Sequence, residues 1–345
     1  MNETNDQADG IDVSNVTAWL AERRPVVAPP LTFDLITGGH SNLTYRVTDA
    51  AGARWVLRRP PLAHVLEGAH DMVREHRLLD ALGPTGVPVP AVVGLCTDAA
   101  ITGADFYVTD FVEGRVLRTP AESTALAAEG IGRLGDELVG NLAAIHAVDL
   151  DATGLADLGR REDYVARQLR TWKRAFEAMT SRHIPGVAEV HDRLAAAIPP
   201  QREATLVHGD FRLDNCLVAD DGTVAAVLDW EIATLGDPMA DLGITLAYWS
   251  EPGDAFMPLG DSATVAPGMA SRDDLVDAYG RVTGRDTSDV PYFHAFACWR
   301  LACILEGVYS RYIGGASPEV PAEVEVFARS VVDLVGLADK LLDEA

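Results

Sequence analysis

The residues best suited to chemistry lie in two short segments, 208–215 and 229–231. The first reads His-Gly-Asp-Phe-Arg-Leu-Asp-Asn, and the second reads Asp-Trp-Glu directly after an apolar run. An aspartate such as Asp210 can orient an acceptor hydroxyl and take its proton. Asn215 and Asp229 offer the hard oxygen ligands that Mg²⁺ prefers. Phosphoryl transfer to a hydroxyl needs both functions side by side, and a loop with Asp210 and Asn215 five residues apart, followed by Asp229 after the next apolar run, can provide them.

Two different patterns surround these segments. From Leu31 to Phe111, short apolar runs bounded by Gly, Pro or Asp predict five strands and one helix. The strands are expected at 31–36, 43–48, 55–57, 92–95 and 106–110, and the helix at 70–82. Beyond Gly114, helical periodicity predicts helices at 121–147, 160–180, 186–197, 236–250, 271–283, 290–313 and 319–343. Two apolar runs, 205–207 and 224–228, interrupt the helices and predict one short hairpin.

This order of elements predicts an α+β chain in two lobes. A tail and leading helix at 1–30 precede a small β-rich N-lobe at 31–112 and a large, mainly helical C-lobe at 113–345. The junction near Val112–Gly114 is the candidate hinge.

The motifs resemble those of a known family. The segments 208–215 and 229–231 are similar to the protein-kinase catalytic loop and to a divergent form of its metal-binding motif. With Gly209 in place of an arginine, Gly-Asp-Pro at 236–238 and Asp241 downstream, they resemble the aminoglycoside phosphotransferase and choline kinase family. Gly-Gly-x-Ser-Asn at 38–42 and Val-Leu-Arg at 56–58 resemble the branch that includes the kinase-like domains attached to some acyl-CoA dehydrogenases. The resemblance covers roughly residues 31–341 and implies a protein-kinase-like two-lobed fold.

The resemblance also implies a role for individual residues. In the C-lobe, Asp210 is the implied catalytic base, Asn215 and Asp229 are implied ligands of Mg²⁺, and Arg212 is implied to touch the transferred phosphate. ATP is the implied donor, and a hydroxyl of a small molecule is the implied acceptor. In the N-lobe, the implied nucleotide-binding residues are Gly39, Ser41, Asn42, Val56, Arg58, Glu75, Asp110 and Val112. The glycine-rich loop by itself also fits an ordinary hairpin turn.

Arg58 departs from the kinase pattern, which has a lysine at this position. Val56 and Arg58 share one face of their strand, so Val56 is expected over the adenine and Arg58 at the phosphates. Glu75 is the expected partner of this cation, whereas Arg59 is expected on the other face. Two interpretations follow: Arg58 takes over the role of the lysine, or the protein is a nucleotide-binding pseudoenzyme. The intact base and metal positions favour replacement.

The class of acceptor is indicated only by a cluster of basic residues. Residues 160–174 contain six cations in a chain whose net charge is −24. Arg167, Arg170 and Arg174 share one helix face, which is either a solvated surface or an anion-binding wall of the acceptor site. Glu231 is a further acceptor-site candidate. A wall of arginines fits an anionic or CoA-linked hydroxy acid. A cationic acceptor (an aminoglycoside or a choline-like amine) and a non-catalytic ATP-binding regulator remain open.

Composition excludes several other classes of protein. The strongly negative charge argues against a nucleic-acid partner. The most apolar stretch, 292–313, contains four polar or charged groups, His294, Arg300, Glu306 and Arg311, which argues against a membrane span. Residues 1–12 are acidic and polar, which predicts a disordered tail and not a signal peptide. Cys96, Cys216, Cys298 and Cys303 form no Cys-x-x-Cys pair and predict reduced core residues of a cytoplasmic protein. The oligomeric state is not predicted.

Overall fold

The computed structural model describes residues 8–36, 42–62, 70–258, 260–314 and 324–345. The chain divides into two compact units, one that ends at Glu113 and one that begins at Gly114. The first unit contains α1 (Val13–Arg23), β1 (Thr32–Leu35), β2 (Leu43–Thr48), β3 (Arg54–Arg59), α2 (Met72–Leu82), β4 (Val92–Cys96), α3 (Ala99–Thr102) and β5 (Phe106–Asp110). Its strands form one sheet in the order β1-β2-β3-β5-β4, with every neighbouring pair antiparallel.

One face of this sheet packs against α1. Helix α1 begins at Val13 because the side chain of Asp12 accepts a hydrogen bond from the backbone N–H of Asn15, at 2.9 Å. Trp19 of α1 meets Phe106 of β5 edge to face, with ring centroids 4.9 Å apart. Ile11 is also part of this core, so the predicted disordered tail is wrong for the residues directly before α1. The earlier part of that tail, residues 1–7, lies outside the described residues.

Alternation along β3 places its two consecutive arginines on opposite faces. Trp55, Leu57 and Arg59 are buried on the face that meets α1, while Val56 and Arg58 are half-buried on the other face. Arg59 is only 4% exposed. Its guanidinium donates to the backbone carbonyls of Gly10, Pro60 and Thr102, the last two at 3.3 and 3.2 Å. The predicted separation of the two arginines is confirmed.

We expect Arg59→Ala to lower the free energy of unfolding by about 2–3 kcal/mol, because it removes charged hydrogen bonds from a buried site. Chemical denaturation measures this difference. Arg46→Ala on β2 is the matched control, since Arg46 forms an exposed pair with Asp34 at 3.0 Å and such pairs contribute less than about 1 kcal/mol. Equal stability of the two variants would contradict the assigned role of Arg59.

The second unit is mainly helical. It contains α4 (Pro120–Thr124), α5 (Ala128–His146), α6 (Tyr164–Met179), α7 (Val187–Ala196), β6 (Thr205–Val207), β7 (Cys216–Val218), β8 (Val224–Val227), β9 (Thr234–Gly236), α8 (Pro238–Tyr248), α9 (Arg272–Thr283), α10 (Val290–Ile313) and α11 (Val324–Glu344). Helix α10 packs against α6, α8 and α11, and most of its residues from Val290 to Gly307 are buried. In the described part of the chain, no helix is both long enough and apolar enough to cross a bilayer.

The strand pairing differs from the single hairpin predicted for 205–207 and 224–228. Strand β6 pairs with β9, and β7 pairs with β8, so the two predicted runs belong to different pairs. Strands β7 and β9, of three residues each, were not predicted. The predicted helix at 121–147 is also interrupted, between α4 and α5. The four cysteines are free and buried, as expected.

Candidate active site

A buried carboxylate holds the backbone of the loop that follows β6. Asp241, in the first turn of α8, accepts hydrogen bonds from the backbone N–H groups of His208 and Gly209, at 2.6 and 2.8 Å. Burial by itself would raise the pKa of Asp241, but hydrogen bonds from His146 and from Gly209 keep that pKa below its ordinary value. The loop before Asp210 is therefore anchored by an ionised group that solvent does not reach.

His208 and Gly209 also shape the loop. The Nε2 of His208 donates to the carbonyl of Leu228 at 2.8 Å, and its Nδ1 accepts from the N–H of Asp210 at 3.3 Å. The ring packs on Trp230, 4.7 Å between centroids. Gly209 has a φ of +85°, and a Cβ there would lie 3.2 Å from the carbonyl oxygen of Ile232. This conformation explains why glycine replaces the arginine of the kinase loop.

Asp210 lies beside Arg212. The side chain of Asp210 is 28% exposed, and its Oδ2 is 3.6 Å from the Nε of Arg212. Arg212 also lies 3.5 Å from Asp214 and stacks over the ring of Tyr248, at 4.5 Å. Burial raises the pKa of Asp210, and the charge of Arg212 opposes that shift only in part. The carboxylate is consequently more basic than an exposed aspartate, which suits a group that accepts a proton.

Pairing of β7 with β8 brings Asn215 next to Asp229. The N–H of Leu228 donates to the carbonyl of Asn215 at 2.8 Å, one residue before Asp229. The Nδ2 of Asn215 donates to the backbone carbonyl and to the Oδ2 of Asp210, at 2.8 and 3.0 Å. Because the amide nitrogen faces Asp210, the amide oxygen points away from that carboxylate. Asp229 has a φ of +63°, an uncommon conformation for a residue other than glycine.

These two side chains fit a magnesium ion. They provide one amide oxygen and one carboxylate, and Mg²⁺ in phosphate-transferring enzymes binds one or two carboxylates together with substrate phosphates and water. Among the described residues, no group of three or more His, Cys, Asp or Glu side chains forms a metal cage. One amide oxygen and one carboxylate suit an ion whose other ligands are phosphate and water.

In the first unit, Arg58 of β3 and Glu75 of α2 form the pair that the sequence predicts. The Nη2 of Arg58 is 3.4 Å from Glu75, and the two side chains are 15% and 2% exposed. Asn42, directly before β2, is buried, while Gly39 and Ser41 lie outside the described residues. Val56 is half-buried and lies opposite Thr109 in the sheet.

The remaining nucleotide candidates lie at and after the end of β5. Asp110 is the last residue of β5 and is paired with Trp55 of β3, and Val112 follows two residues later. The structure places these residues, but their roles stay predictions.

The predicted arginine wall lies along α6. Arg170 and Arg174 are exposed, and Arg167 is half-buried and donates to the carbonyl of Arg160 at 2.7 Å. At about 100° per residue, Arg170 lies roughly 200° around the helix from Trp172. The ring of Trp172 contacts the guanidinium of Arg300 of α10. Glu231 is half-buried directly after Trp230. The acceptor roles of Glu231 and of the three arginines stay predictions.

A cavity beside Asp210 contains Tyr248, a residue that sequence reasoning did not assign. Tyr248 and Arg300 line it together with Asp210. Burial raises the pKa of the Tyr248 hydroxyl, and the negative charge of Asp210 raises it further. Tyr248 also lines a neighbouring cavity of about 230 Å³ that includes Arg212 and Asp214. The sequence contained one signal that could have identified Tyr248. It lies seven residues after Asp241, which places the two residues on the same side of α8.

A small antiparallel sheet unit, followed by a helical unit with this catalytic loop, defines a protein of the protein-kinase-like class. The family model described as "Phosphotransferase enzyme family" (APH) matches residues 32–287, and the chain belongs to that family. The description of that family names phosphotransferases.

Similar curated proteins are longer than this chain. Acyl-CoA dehydrogenase family member 10 of Mus musculus is 35% identical over 298 residues, which cover 83% of this chain and 27% of that protein. Acyl-CoA dehydrogenase family member 11 of Gallus gallus is 35% identical over 314 residues, which cover 86% of this chain and 39% of that protein. The chain thus spans between about a quarter and two fifths of these relatives.

Solved structures share the fold over nearly the whole chain. A protein from Ralstonia eutropha JMP134 that carries the provisional name aminoglycoside phosphotransferase superimposes with a TM-score of 0.82 at 30% identity, covering 97% of this chain and 99% of that one. Spectinomycin phosphotransferase APH(9)-Ia, in complex with ADP and spectinomycin, has a TM-score of 0.63 at 11% identity, with coverages of 96% and 99%. Choline kinase from Cryptosporidium parvum has a TM-score of 0.63 at 14% identity, with coverages of 95% and 97%. The last two show likeness of fold alone.

Proposed function

We propose that the protein is an ATP- and Mg²⁺-dependent phosphotransferase that moves the γ-phosphate to a hydroxyl of an anionic or CoA-linked hydroxy acid. The observation that carries the proposal is the position of Asp210, whose carboxylate is held by Asn215 at 3.0 Å and lies 3.6 Å from Arg212. One loop thus contains a proton acceptor (Asp210), a metal-ligand candidate (Asn215) and a fixed cation (Arg212). Phosphoryl transfer needs these three groups together.

In this proposal, Asp210 orients the acceptor hydroxyl and takes its proton on a carboxylate oxygen. The hydroxyl oxygen then forms a bond to the γ-phosphorus while the bond from that phosphorus to the leaving ADP oxygen breaks. Arg212 balances the negative charge of the transferring group through its planar fork of donors. Asn215 and Asp229 would hold Mg²⁺, which supplies charge neutralisation on the phosphates when bound.

The first unit is proposed to bind the nucleotide. The cation of Arg58, oriented by Glu75 at 3.4 Å, would bind the α- and β-phosphates, and Val56 on the same face would contact the adenine. Gly39, Ser41 and Asn42 would contact phosphate through the loop between β1 and β2. The carbonyl of Asp110 and the N–H of Val112 would bind the adenine edge. The ADP in the spectinomycin phosphotransferase complex supports a nucleotide donor.

The names of the relatives support the proposed acceptor class. Both are named as members of the acyl-CoA dehydrogenase family, and the matched region is a minority of each chain. A phosphotransferase region joined to such an enzyme is chemically consistent with an acceptor that carries a hydroxyl on an acyl chain. An assay of ADP release over hydroxy acids, their CoA thioesters, kanamycin and choline, with ATP and GTP each supplied, tests the acceptor class and the donor.

We expect Asp229→Ala to weaken Mg·ATP binding by at least about tenfold, because it removes a proposed metal ligand. Titration calorimetry with ATP measures the loss in the presence of Mg²⁺, and the same titration in EDTA is expected to show little difference from the wild type. Asp277→Ala is the control, since Asp277 is an exposed carboxylate on α9. Unchanged Mg·ATP affinity in Asp229→Ala would remove Asp229 from the metal site.

A further inference from the structure

A second cavity lies among helices α8, α9, α10 and α11 of the second unit. Its volume is about 660 Å³, which lies within the range of about 300–1,000 Å³ that is usual for small-molecule sites. Its described lining contains none of Asp210, Arg212, Asn215 and Asp229. The cavity is therefore separate from the candidate active site and has room for a small organic molecule.

Much of the lining is apolar, and one position on the α11 wall has no side chain. The apolar residues come from all four helices: Leu246, Val276, Val290, Val332, Leu337 and Leu341. Gly336 lies among them, and a Cβ at that position would meet nothing within 4 Å beyond its own stretch of helix. Packing does not require a glycine here, and glycine inside a helix is less stable than alanine. The consequence of this glycine is a wider cavity.

His294 of α10 also lines the cavity, and its Nε2 lacks a partner. The residue is 8% exposed, and this nitrogen is buried without a hydrogen bond to any residue that the structure describes. Burial and the nearby charge of Arg272 lower the pKa of the ring to about 3, so the imidazole is neutral at neutral pH. A buried nitrogen without a partner is costly, and a ligand with a hydrogen-bonding group would offset that cost.

The charges around the cavity favour a cation over an anion. Arg272 is held between Glu251 and Asp254, at 3.1 and 2.5 Å. Further acids outnumber further bases on the lining: Asp273, Asp333 and Glu344 against Lys340. In the described parts of the chain, these three acids are exposed and have no ion-pair partner. The lining thus contains five carboxylates and two cations, and its uncompensated charge is negative.

We propose that this cavity binds a small apolar molecule that carries one protonated amine. The apolar part lies against the aliphatic wall of α9 and α11, and the ammonium group lies among the unpaired carboxylates. The proposal goes beyond the proposed function and does not depend on it, because none of the proposed catalytic or metal-binding residues lines the cavity.

The test compares three ligands of one chain length, octylammonium, octan-1-ol and octanoate, titrated into the full chain at neutral pH and low salt. We expect octylammonium to bind about tenfold more tightly than octanoate, with the alcohol between them, because the acids attract one charge and repel the other. Gly336→Trp should weaken octylammonium binding by about tenfold or more, because the indole would fill the volume that the alkyl chain needs. Replacing Asp273 and Asp333 together with asparagine should remove most of the preference for the ammonium and leave the alcohol unchanged.

Gly132→Trp is the matched control for the added indole. Gly132 is an exposed glycine on α5 whose Cβ would also meet nothing within 4 Å, and it does not line this cavity. Circular dichroism and thermal midpoints report folding. Val332→Trp, at a residue that is 44% exposed on the same wall, carries the test if Gly336→Trp does not fold.

Three results would overturn the proposal. The first is that the wild type shows no saturable binding of octylammonium. The second is that the folded Gly336→Trp variant binds it as tightly as Gly132→Trp does, which would place the ligand elsewhere on the protein. The third is that octanoate binds as tightly as octylammonium, which would remove the charge argument. Mg·ATP titration of the same proteins tests the proposed function separately.

Discussion

Replacing Asp210 with asparagine is expected to lower the rate of phosphoryl transfer by about 10²- to 10⁴-fold, the usual contribution of a positioned general base. Asparagine keeps the size of the side chain but cannot take a proton from the acceptor hydroxyl. In the wild type, the Nδ2 of Asn215 donates to the Asp210 carboxylate at 3.0 Å. In the variant, the new amide group faces that same Nδ2. The affinity for Mg·ATP should change by less than about threefold, because Asp210 is proposed to act on the acceptor.

Single-turnover kinetics with a productive acceptor, together with calorimetry of Mg·ATP binding, separates these two effects. Asp277→Asn is the matched control, because the same chemical change is made to an exposed carboxylate on α9. Full turnover in Asp210→Asn would show that this loop does not contain the catalytic base.

Replacing Arg58 with alanine is expected to lose about 2–4 kcal/mol of transition-state stabilisation, which corresponds to one preorganised charged donor. The substitution also removes the cation that lies 3.4 Å from Glu75, a carboxylate that is only 2% exposed. Stability is therefore measured beside kcat/KM, so that a loss of rate is not confused with a loss of folded protein.

Arg58→Lys should recover part of the rate, since a cation at the phosphates is the property that matters. Arg46→Ala is the control for removal of an arginine from the same sheet. Arg59→Ala cannot serve this purpose, because Arg59 is buried and hydrogen-bonded to backbone carbonyls. A pseudoenzyme would show no transfer in the wild type with any acceptor, so Arg58→Ala would have no activity to lose.

Local spacing was enough to predict most elements and the face of β3 that carries Arg58, while the contact with Glu75 was implied by the family resemblance. The alternation of Trp55, Val56, Leu57 and Arg58 along β3 predicts correctly which face carries the arginine that meets Glu75. Alternation could not show that Arg59 is buried, because a charged residue on a strand normally indicates a solvent-exposed face. Its burial depends on the carbonyls of Gly10 and Thr102, which come from distant parts of the first unit.

The sequence by itself determined the class of chemistry, because Asp210, Arg212 and Asn215 lie in one loop whose short length keeps their side chains together whatever surrounds it. The tertiary structure decided two other features. Pairing of β8 with β7, a strand that was not predicted, brings Asp229 beside Asn215. The packing of α10 against α6 and α8 brings Arg300 into a cavity with Asp210, 90 residues earlier in the chain. In the sequence, Arg300 is one of the charges in an apolar helix, and the packing of that helix decides that it lines this cavity.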